Sequence, residues 1–302
     1  MRTEQEILGL IIQVALADER IRAAYLEGSR ANPKIPGDIF QDYDVEYIVE
    51  DTKPFREDKS WIDRFGRRLY MQYPEDGVLY GDADPENWYG WLIQFWDGIR
   101  MDLHVGTKAR ALSNLELYRT LVDKDGILPG KEVSSDEIYR IKKPGRQEYL
   151  DVCNEFWWCL NNVAKGLWRG EIPYVMDMID DPVRPMLKRM LLWKIGAENQ
   201  FSVSAGKSGK YMRNYLSDET YRRFLDTYGC AEPEEVWERT FRMCSLFQET
   251  ALEVAGRLGY EYNREEARMS RLFLEYVRQL PGDAKEHTLE QWLSRNHNFT
   301  SD

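Results

Sequence analysis

A short turn between two alternating apolar runs constrains the fold of this chain more than any other feature. Asp97-Gly98 separates residues 91–96 from residues 99–105. An Asp-Gly pair in this setting is typical of a β-hairpin with a two-residue turn of the primed type. Alternate residues of the return strand form a polar face made of Arg100, Asp102 and His104. We therefore expect one face of this hairpin in a core and the other facing solvent or a ligand.

Three aspartates on strand patterns form the candidate catalytic site. Asp42 and Asp44 lie in a second alternating run, and Asp102 lies on the hairpin strand. Since residues two apart on a strand point to the same face, Asp42 and Asp44 can converge on one cation, and a neighbouring strand would bring in Asp102. The run follows Gly28-Ser29, a small-residue turn able to approach phosphates. Three acidic side chains around a hard divalent ion beside such a turn indicate phosphoryl or nucleotidyl transfer.

The remaining patterns predict a mixed sheet domain followed by a helical domain. Thr3 and Glu6 form a capping box ahead of a first helix, and residues 61–71 are predicted to form an amphipathic helix. Beyond residues 142–145 the apolar period becomes helical. We therefore predict an α+β chain with domains at 1–144 and 145–302. The predicted helices of the second domain cover residues 149–167, 183–198, 218–228, 234–258 and 264–280.

Composition narrows the classes of partner and compartment. The net charge is −11, so a nucleic-acid partner is not expected without a local basic patch, and none is found. A cationic small molecule fits better, although acidity can also serve only solubility. No apolar run approaches the roughly 20 residues that span a bilayer, the N-terminal residues are unlike a secretory signal, and the four cysteines form no CxxC pair. We expect a cytoplasmic protein without membrane partners, as a monomer or a homodimer.

The order of these motifs resembles the nucleotidyltransferase superfamily that includes DNA polymerase β. Within it, nearly the whole chain is similar to the aminoglycoside 6-adenylyltransferases, bacterial enzymes that modify streptomycin. The segments that carry the resemblance are Gly28-Ser29, 42–44, the hairpin with 101–103, 122–126, 163–167 and 206–210. The resemblance implies a polymerase β-like sheet domain with flanking helices, followed by a helical bundle domain that binds substrate.

The resemblance also implies a reaction. ATP with Mg²⁺ would bind at the sheet, the cationic aminoglycoside would lie in the cleft between the domains, and AMP would pass to the 6-hydroxyl of streptomycin with release of pyrophosphate. Antibiotic resistance would follow. Two alternatives stay open, because related folds serve other chemistry: a nucleotidyltransferase acting on another small molecule or a protein, and a catalytically silent nucleotide-binding module.

Roles for the three aspartates follow from this chemistry. Asp42 and Asp44 would bridge two magnesium ions roughly 3.5–4 Å apart, and Asp102 would complete the site on the acceptor side. Asp102 is also the candidate general base, either by accepting the hydroxyl proton directly or by holding a metal that acidifies the hydroxyl. His104, on the same face, would orient Asp102 or be a structural histidine.

Five residues are candidates for the triphosphate. Ser29 would offer its hydroxyl and backbone N–H to the phosphates, and Gly28 would allow close approach. Arg30 would reach phosphate or simply lie on the surface. Lys207 and Lys210, in a glycine-containing loop of the second domain, would fold over the triphosphate or remain solvated.

The acceptor would need acidic and aromatic partners, because streptomycin carries two guanidinium groups. Carboxylates pair with guanidinium groups directionally, and aromatic faces attract them. The candidates are Asp177, Asp180 and Asp181 for the carboxylates and Trp88 and Trp168 for the rings. The alternative for the acidic cluster is a solvated face of the helical domain.

Overall fold

The computed structural model describes residues 1–32, 37–79, 81, 83–115, 117–129 and 140–297. The chain divides into two units, Met1–Asp136 and Glu137–Asp302. The first unit contains a sheet with short helices, and the second unit is helical. The predicted α+β class is therefore confirmed, whereas the functional roles assigned to residues 1–144 and 145–302 stay a prediction.

A mixed sheet forms the centre of the first unit. Its strands are β1 (Ile21–Leu26), β2 (Tyr43–Val49), β3 (Arg68–Gln72), β4 (Trp88–Phe95), β5 (Arg100–Thr107) and β6 (Arg119–Asp123). Their spatial order is β3-β4-β5-β2-β1-β6. β2 and β5 pair in parallel, and the other neighbouring strands pair antiparallel. The parallel pair lies in the middle of the sheet, so its side chains are fixed by neighbouring strands on both sides.

Helix α1 (Glu4–Ala17) packs on one face of this sheet. It begins with the predicted capping box, in which the Thr3 side chain accepts from the Glu6 amide and the Glu6 carboxylate accepts from the Thr3 amide. The Tyr47 hydroxyl from β2 donates to the Ile11 carbonyl at 2.7 Å. Apolar residues from every second strand position fill this face, including Val45, Tyr47, Trp91, Met101, Leu103 and Val105. Burying them leaves the alternate positions of β2 and β5 for the opposite face.

The β4–β5 hairpin is present, but its turn differs from the prediction. The Phe95 amide donates to the Ile99 carbonyl and the Gly98 amide donates to the Phe95 carbonyl, so the loop contains three residues. Only Gly98 in this loop has a positive φ, +86°. A primed two-residue turn of type I′ needs positive φ at both central residues, so this loop is instead the three-residue kind with a left-handed glycine.

The predicted helix over residues 61–71 is wrong. A single 3₁₀ segment, Trp61–Phe65, is followed by the edge strand β3. Trp61, Ile62 and Phe65 are buried, which produces helical spacing for one turn only. Gly66 then adopts φ +130°, a conformation that ends the turn and sends the chain into β3. Short helices complete this unit: α2 (Gly28–Ala31), α3 (Lys53–Glu57) and α4 (Lys108–Ser113).

Helices form the second unit, and five of them lie at the predicted places. α5 (Arg146–Arg169) ends at Gly170, which is left-handed at φ +74°. The later helices are α6 (Ile172–Met178), α7 (Arg184–Glu198), α8 (Asp218–Leu225), α9 (Pro233–Leu258), α10 (Arg264–Gln279) and α11 (Leu289–His297). Ser217 and Asn263 cap α8 and α10, and each side chain accepts a backbone N–H.

An apolar stripe on α5 forms the centre of the core of the helical unit. All its residues are buried, and Leu160 and Val163 have no solvent exposure; the stripe consists of Tyr149, Val152, Cys153, Phe156, Leu160, Val163, Ala164 and Leu167. Phe156 from α5 stacks on Phe247 from α9 with ring centroids 3.7 Å apart. The Tyr149 hydroxyl donates to the Ala251 carbonyl of α9 at 2.9 Å, so this buried hydroxyl is satisfied. Within the residues described, no helix is both long enough and apolar enough to cross a membrane.

Candidate active site

The structure brings Asp42, Asp44 and Asp102 together. Asp44 and Asp102 are direct neighbours across the parallel β2–β5 pair, and Asp42 lies one residue before β2. One carboxylate oxygen from each residue lies within 4.8 Å of the others. The predicted convergence is therefore present, although Asp42 reaches it from outside the strand. The roles of the three residues in catalysis and metal binding stay predictions.

Strand alternation explains why these polar groups are available. Val45 and Leu103, the next residues after Asp44 and Asp102, are completely buried on the α1 side. Since successive side chains of a strand point to opposite faces, the aspartates must lie on the other face. Each is partly buried rather than exposed, which strengthens electrostatic interactions at the cluster.

Arg100 already pairs with this cluster. Its Nε and Nη2 lie 3.0 and 2.5 Å from the two carboxylate oxygens of Asp102, and its Nε lies 3.9 Å from Asp42 Oδ2. A bidentate guanidinium pair of this kind is directional. The Arg100 side chain is about half exposed, so it can leave the cluster without unfolding the strand. Sequence reasoning placed Arg100 on the right face but gave it no role.

Burial and the neighbouring carboxylates change the pKa of Asp44. Burial, followed by repulsion from Asp42 and Asp102, raises the pKa of Asp44 to about 6. No hydrogen bond to the Asp44 carboxylate is found among the residues described. A divalent cation would offset this repulsion, and carboxylate oxygens are the donors that hard cations prefer. The arrangement of donors and their charge therefore fit a magnesium site.

The backbone of Gly28 packs closely against the Asp44 side chain. Gly28 has φ +64°, and a Cβ atom there would lie 2.1 Å from Asp44 Oδ2. Only glycine therefore lets the chain pass over this carboxylate. The Glu27 amide donates to the Asp44 carbonyl at 3.0 Å, which fixes the end of β1 against β2. Ser29 follows directly in α2 and is partly buried.

The Arg30 side chain makes its contacts with groups of the protein itself. Its Nε and Nη2 donate to the backbone carbonyls of Asp42 and Gln41 at 2.9 and 2.8 Å. Its guanidinium carbon lies 3.8 Å from the centroid of the Tyr43 ring. These contacts hold the backbone that carries Asp42, so the structure favours a positioning role for Arg30 over a direct contact with phosphate.

A buried Glu–His pair lies on the same sheet face, two residues beyond Asp44 on β2 and two residues beyond Asp102 on β5. Glu46, which is 4% exposed, faces His104 with Oε1 3.0 Å from Nδ1. Burial alone would lower the pKa of His104, but the Glu46 carboxylate raises it to about 9. Trp88 stacks on the His104 ring with centroids 5.1 Å apart. Sequence reasoning missed Glu46, although its alternation with Asp44 was a visible signal.

Trp88 is therefore already in contact with two cationic groups. Besides His104, the Arg110 guanidinium lies 5.4 Å from the centroid of the Trp88 ring. The expected stacking of a substrate guanidinium on Trp88 would have to compete with these groups.

The remaining candidates lie in the helical unit. Lys207 and Lys210 are exposed around a 3₁₀ turn, Lys207–Gly209, and the Lys210 ammonium lies 5.0 Å from the centroid of the Tyr211 ring. A cavity of about 290 Å³ in this unit has a basic lining that includes Arg140, Lys142 and Arg189.

The acidic candidates surround an irregular helical turn. Asp180 and Asp181 lie in a π-helical segment, Ile179–Val183, that follows α6. All three aspartates are exposed, and Asp180 also pairs with Arg184 at 2.9 Å. The Trp168 indole is half-buried and donates to the Pro281 carbonyl at 3.2 Å. Asp180 and Trp168 thus have partners within the protein, while Asp177 and Asp181 face solvent.

The chain is similar in sequence to known proteins. Residues 1–277 match the family model described as streptomycin adenylyltransferase. The chain is 40% identical over 268 residues to an aminoglycoside 6-adenylyltransferase of Bacillus subtilis (strain 168), covering 87% of this chain and 93% of the relative. It is 37% identical over 269 residues to an aminoglycoside 6-adenylyltransferase of Campylobacter jejuni, covering 87% and 91%. The crystal structure of an aminoglycoside 6-adenyltransferase from Bacillus subtilis aligns over 93% of this chain and 100% of that chain, with 34% identity and a TM-score of 0.46.

Proposed function

The chain belongs to the streptomycin adenylyltransferase family, and from this premise we propose that it transfers AMP from ATP to the 6-hydroxyl of streptomycin. The observation that carries the proposal is the convergence of three carboxylates within 4.8 Å on one sheet face. Both relatives named above are aminoglycoside 6-adenylyltransferases, which supports an aminoglycoside as acceptor. The proposal further specifies streptomycin as the acceptor and magnesium-bound ATP as the donor of AMP.

Asp42, Asp44 and Asp102 would hold the divalent metal. The donor set is entirely carboxylate oxygen, and burial together with the neighbouring carboxylates raises the pKa of Asp44. Magnesium, when bound here, would neutralise charge on the phosphates and the attacking oxygen. The protein supplies the rest of the catalysis by positioning, since transfer of a nucleotidyl group needs little covalent assistance.

In the reaction, the acceptor oxygen forms a bond to the α-phosphorus while the bond to pyrophosphate breaks. The acceptor hydroxyl loses its proton, and we assign Asp102 as the group that receives it or orients the hydroxyl for its loss. Both Asp102 oxygens are engaged by Arg100, so Arg100 competes with the acceptor hydroxyl and with a cation for this carboxylate. Once released, its guanidinium lies beside the cluster and is available to an anionic oxygen.

Phosphate and acceptor contacts complete the proposal. Ser29 would contact phosphate; it follows Gly28, whose backbone passes over Asp44. Lys207 and Lys210 would bind the triphosphate. In the helical unit, Asp177 and Asp181 are exposed and would pair with guanidinium groups.

The test is an acceptor-dependent release of pyrophosphate. The protein is incubated with ATP, Mg²⁺ and a panel of aminoglycosides, and the modified drug is identified by NMR. We expect release with streptomycin and AMP attached to its 6-hydroxyl. Asp102→Asn should lose most of this release, and the matched control Asp125→Asn should keep it, because Asp125 is an exposed carboxylate paired with Arg22. If a preparation that binds ATP releases no pyrophosphate with any aminoglycoside, the proposal is contradicted. Activity with another acceptor would favour a different transferase.

A further inference from the structure

The basic cavity of the helical unit, of about 290 Å³, lies entirely within that unit. Its walls include residues 140–142, Arg189 and Trp193 of α7, and Ala205 and Gly206 of the loop after α7. Pockets that hold drug-sized ligands generally measure about 300–1,000 Å³. The cavity therefore suits a small ligand better than a whole nucleotide.

The apolar part of the wall is fixed by the core of the unit. Ile141, Trp193 and Ala205 are all buried. The Ile141 amide donates to the Val203 carbonyl at 3.0 Å, which ties the start of the unit to the loop after α7. A cavity with walls of this kind keeps its shape without a ligand, so little ordering has to be paid for on binding.

Positive charge is in excess around the cavity. Arg140, Lys142 and Arg189 line it, and the single carboxylate in the lining is that of Glu148. The whole chain carries a net charge of −11, so the sign of the charge is reversed locally. Cations gathered around a concave surface raise the local concentration of anions.

Two of these cations lack a carboxylate partner. Neither Lys142 nor Arg189 forms an ion pair with any residue that the structure describes, whereas on the same helix Arg184 pairs with Asp180 and Lys194 pairs with two glutamates. In an acidic protein, surface cations readily find acidic partners within the chain. The donors of Lys142 and Arg189 are therefore available to an anion from outside.

We propose that the basic cavity binds a small multivalent oxyanion of the phosphate class, inorganic phosphate or pyrophosphate, through Lys142 and Arg189. A guanidinium group presents a planar fork of donors to an oxyanion, and an ammonium group adds three donors. Lys207 and Lys210, which would bind the triphosphate of ATP, are outside the lining. The site is thus additional to the proposed nucleotide contacts, and it does not depend on the proposed function.

The test is isothermal titration calorimetry of the full chain with phosphate and pyrophosphate in separate titrations. The buffer is freed of divalent metal with a chelating resin, because EDTA is itself an anion. Without metal, the carboxylates of Asp42, Asp44 and Asp102 repel both probes, so the measured binding comes from other sites. We expect one site per chain and tighter binding of pyrophosphate than of phosphate, because pyrophosphate carries more charge.

Arg189→Gln and Lys142→Gln each remove one charge from an exposed position, so both variants should keep the fold, which circular dichroism checks. Each should weaken pyrophosphate binding at least about tenfold, since a charge-assisted hydrogen bond is lost. Arg222→Gln is the matched control, because Arg222 is an exposed arginine of α8 outside the lining. Its affinity should equal that of the parent, and saturating pyrophosphate should raise the Tm of the parent and this control more than that of Arg189→Gln.

Equal losses of affinity in Arg189→Gln and Arg222→Gln would overturn the proposal, because binding would then follow net charge alone. Absence of pyrophosphate binding to the parent would overturn it as well. A titration with a non-hydrolysable ATP analogue already present separates a free anion from the phosphates of a nucleotide. We expect the pyrophosphate affinity to be unchanged, and one-for-one displacement by the analogue would contradict a separate anion site.

Discussion

Replacing Asp44 with asparagine should stabilise the protein when no divalent metal is present. Burial and the neighbouring carboxylates raise the pKa of Asp44 from 3.8 to about 6. The ionised side chain therefore opposes folding at neutral pH, by about 3 kcal/mol if each pKa unit contributes about 1.36 kcal/mol. Residual solvent screening reduces this value, so we expect a gain of about 1–3 kcal/mol in the free energy of unfolding.

The sign of the pH dependence follows from the same shift. Between about pH 4 and pH 6 the native protein holds a proton on Asp44 that the unfolded chain has already lost, so the free energy of unfolding falls as pH rises. Asparagine does not titrate, so in Asp44→Asn the free energy of unfolding does not fall for this reason as pH rises. The two proteins should be close in stability near pH 4, and the variant should be the more stable one above about pH 6.

Urea unfolding in EDTA at pH 4.5 and pH 8 measures this difference. Asp125→Asn is the control. Arg22 lowers the pKa of Asp125, so removing the charge of the Asp125 carboxylate should not stabilise the protein. Added Mg²⁺ should stabilise the parent protein and not Asp44→Asn. The reasoning is refuted if Asp44→Asn is no more stable than the parent at pH 8 in EDTA, or if the difference does not change with pH.

Three further variants, with one control variant, test Asp102, Arg100 and the core of the helical unit. Asp102→Asn should keep the fold, seen by circular dichroism, and lower turnover by about 10² or more; near-normal turnover would remove the proton-acceptor role. Arg100→Met should tighten Mn²⁺ binding about two- to tenfold in calorimetry, since the metal no longer displaces a half-exposed ion pair. Arg22→Met, which breaks the surface pair with Asp125, should leave Mn²⁺ affinity unchanged, and an equal effect of both would contradict competition at the cluster. Leu160→Asp should unfold the helical unit, because Leu160 has no solvent exposure, and a soluble variant with native helix content would show that reasoning to be wrong.

The parts of the fold governed by side-chain periodicity were predictable from the sequence. β2 and β5 alternate between buried apolar residues and polar ones, so both their existence and the face of Asp44 and Asp102 could be inferred. The long stripe of α5 was equally clear, because a helix that buries one face repeats its apolar residues over many turns.

Features that depend on backbone conformation or on distant partners were not predictable. Trp61–Phe65 has helical spacing for a single turn, and the strand that follows shows no alternation because it lies at the sheet edge. The hairpin loop differed because only Gly98 is left-handed. Strand pairing, which no local pattern encodes, determines that Glu46 faces His104.

The requirement for Gly28 also emerged only from packing. Sequence reasoning assigned this glycine to the approach of phosphate. In the structure, a Cβ at this position would collide with Asp44 Oδ2, a contact between segments separated by the intervening loop. Arg30 shows the same limit, since its carbonyl partners at residues 41 and 42 depend on how that loop returns to β2.

The most direct test of the central claim is an anomalous diffraction map of crystals soaked with Mn²⁺ and a non-hydrolysable ATP analogue. The account predicts at least one manganese peak about 2.0–2.3 Å from carboxylate oxygens of Asp42, Asp44 and Asp102, with Arg100 displaced from Asp102. Well-ordered nucleotide with no manganese at these carboxylates, or with manganese bound only elsewhere, would contradict it.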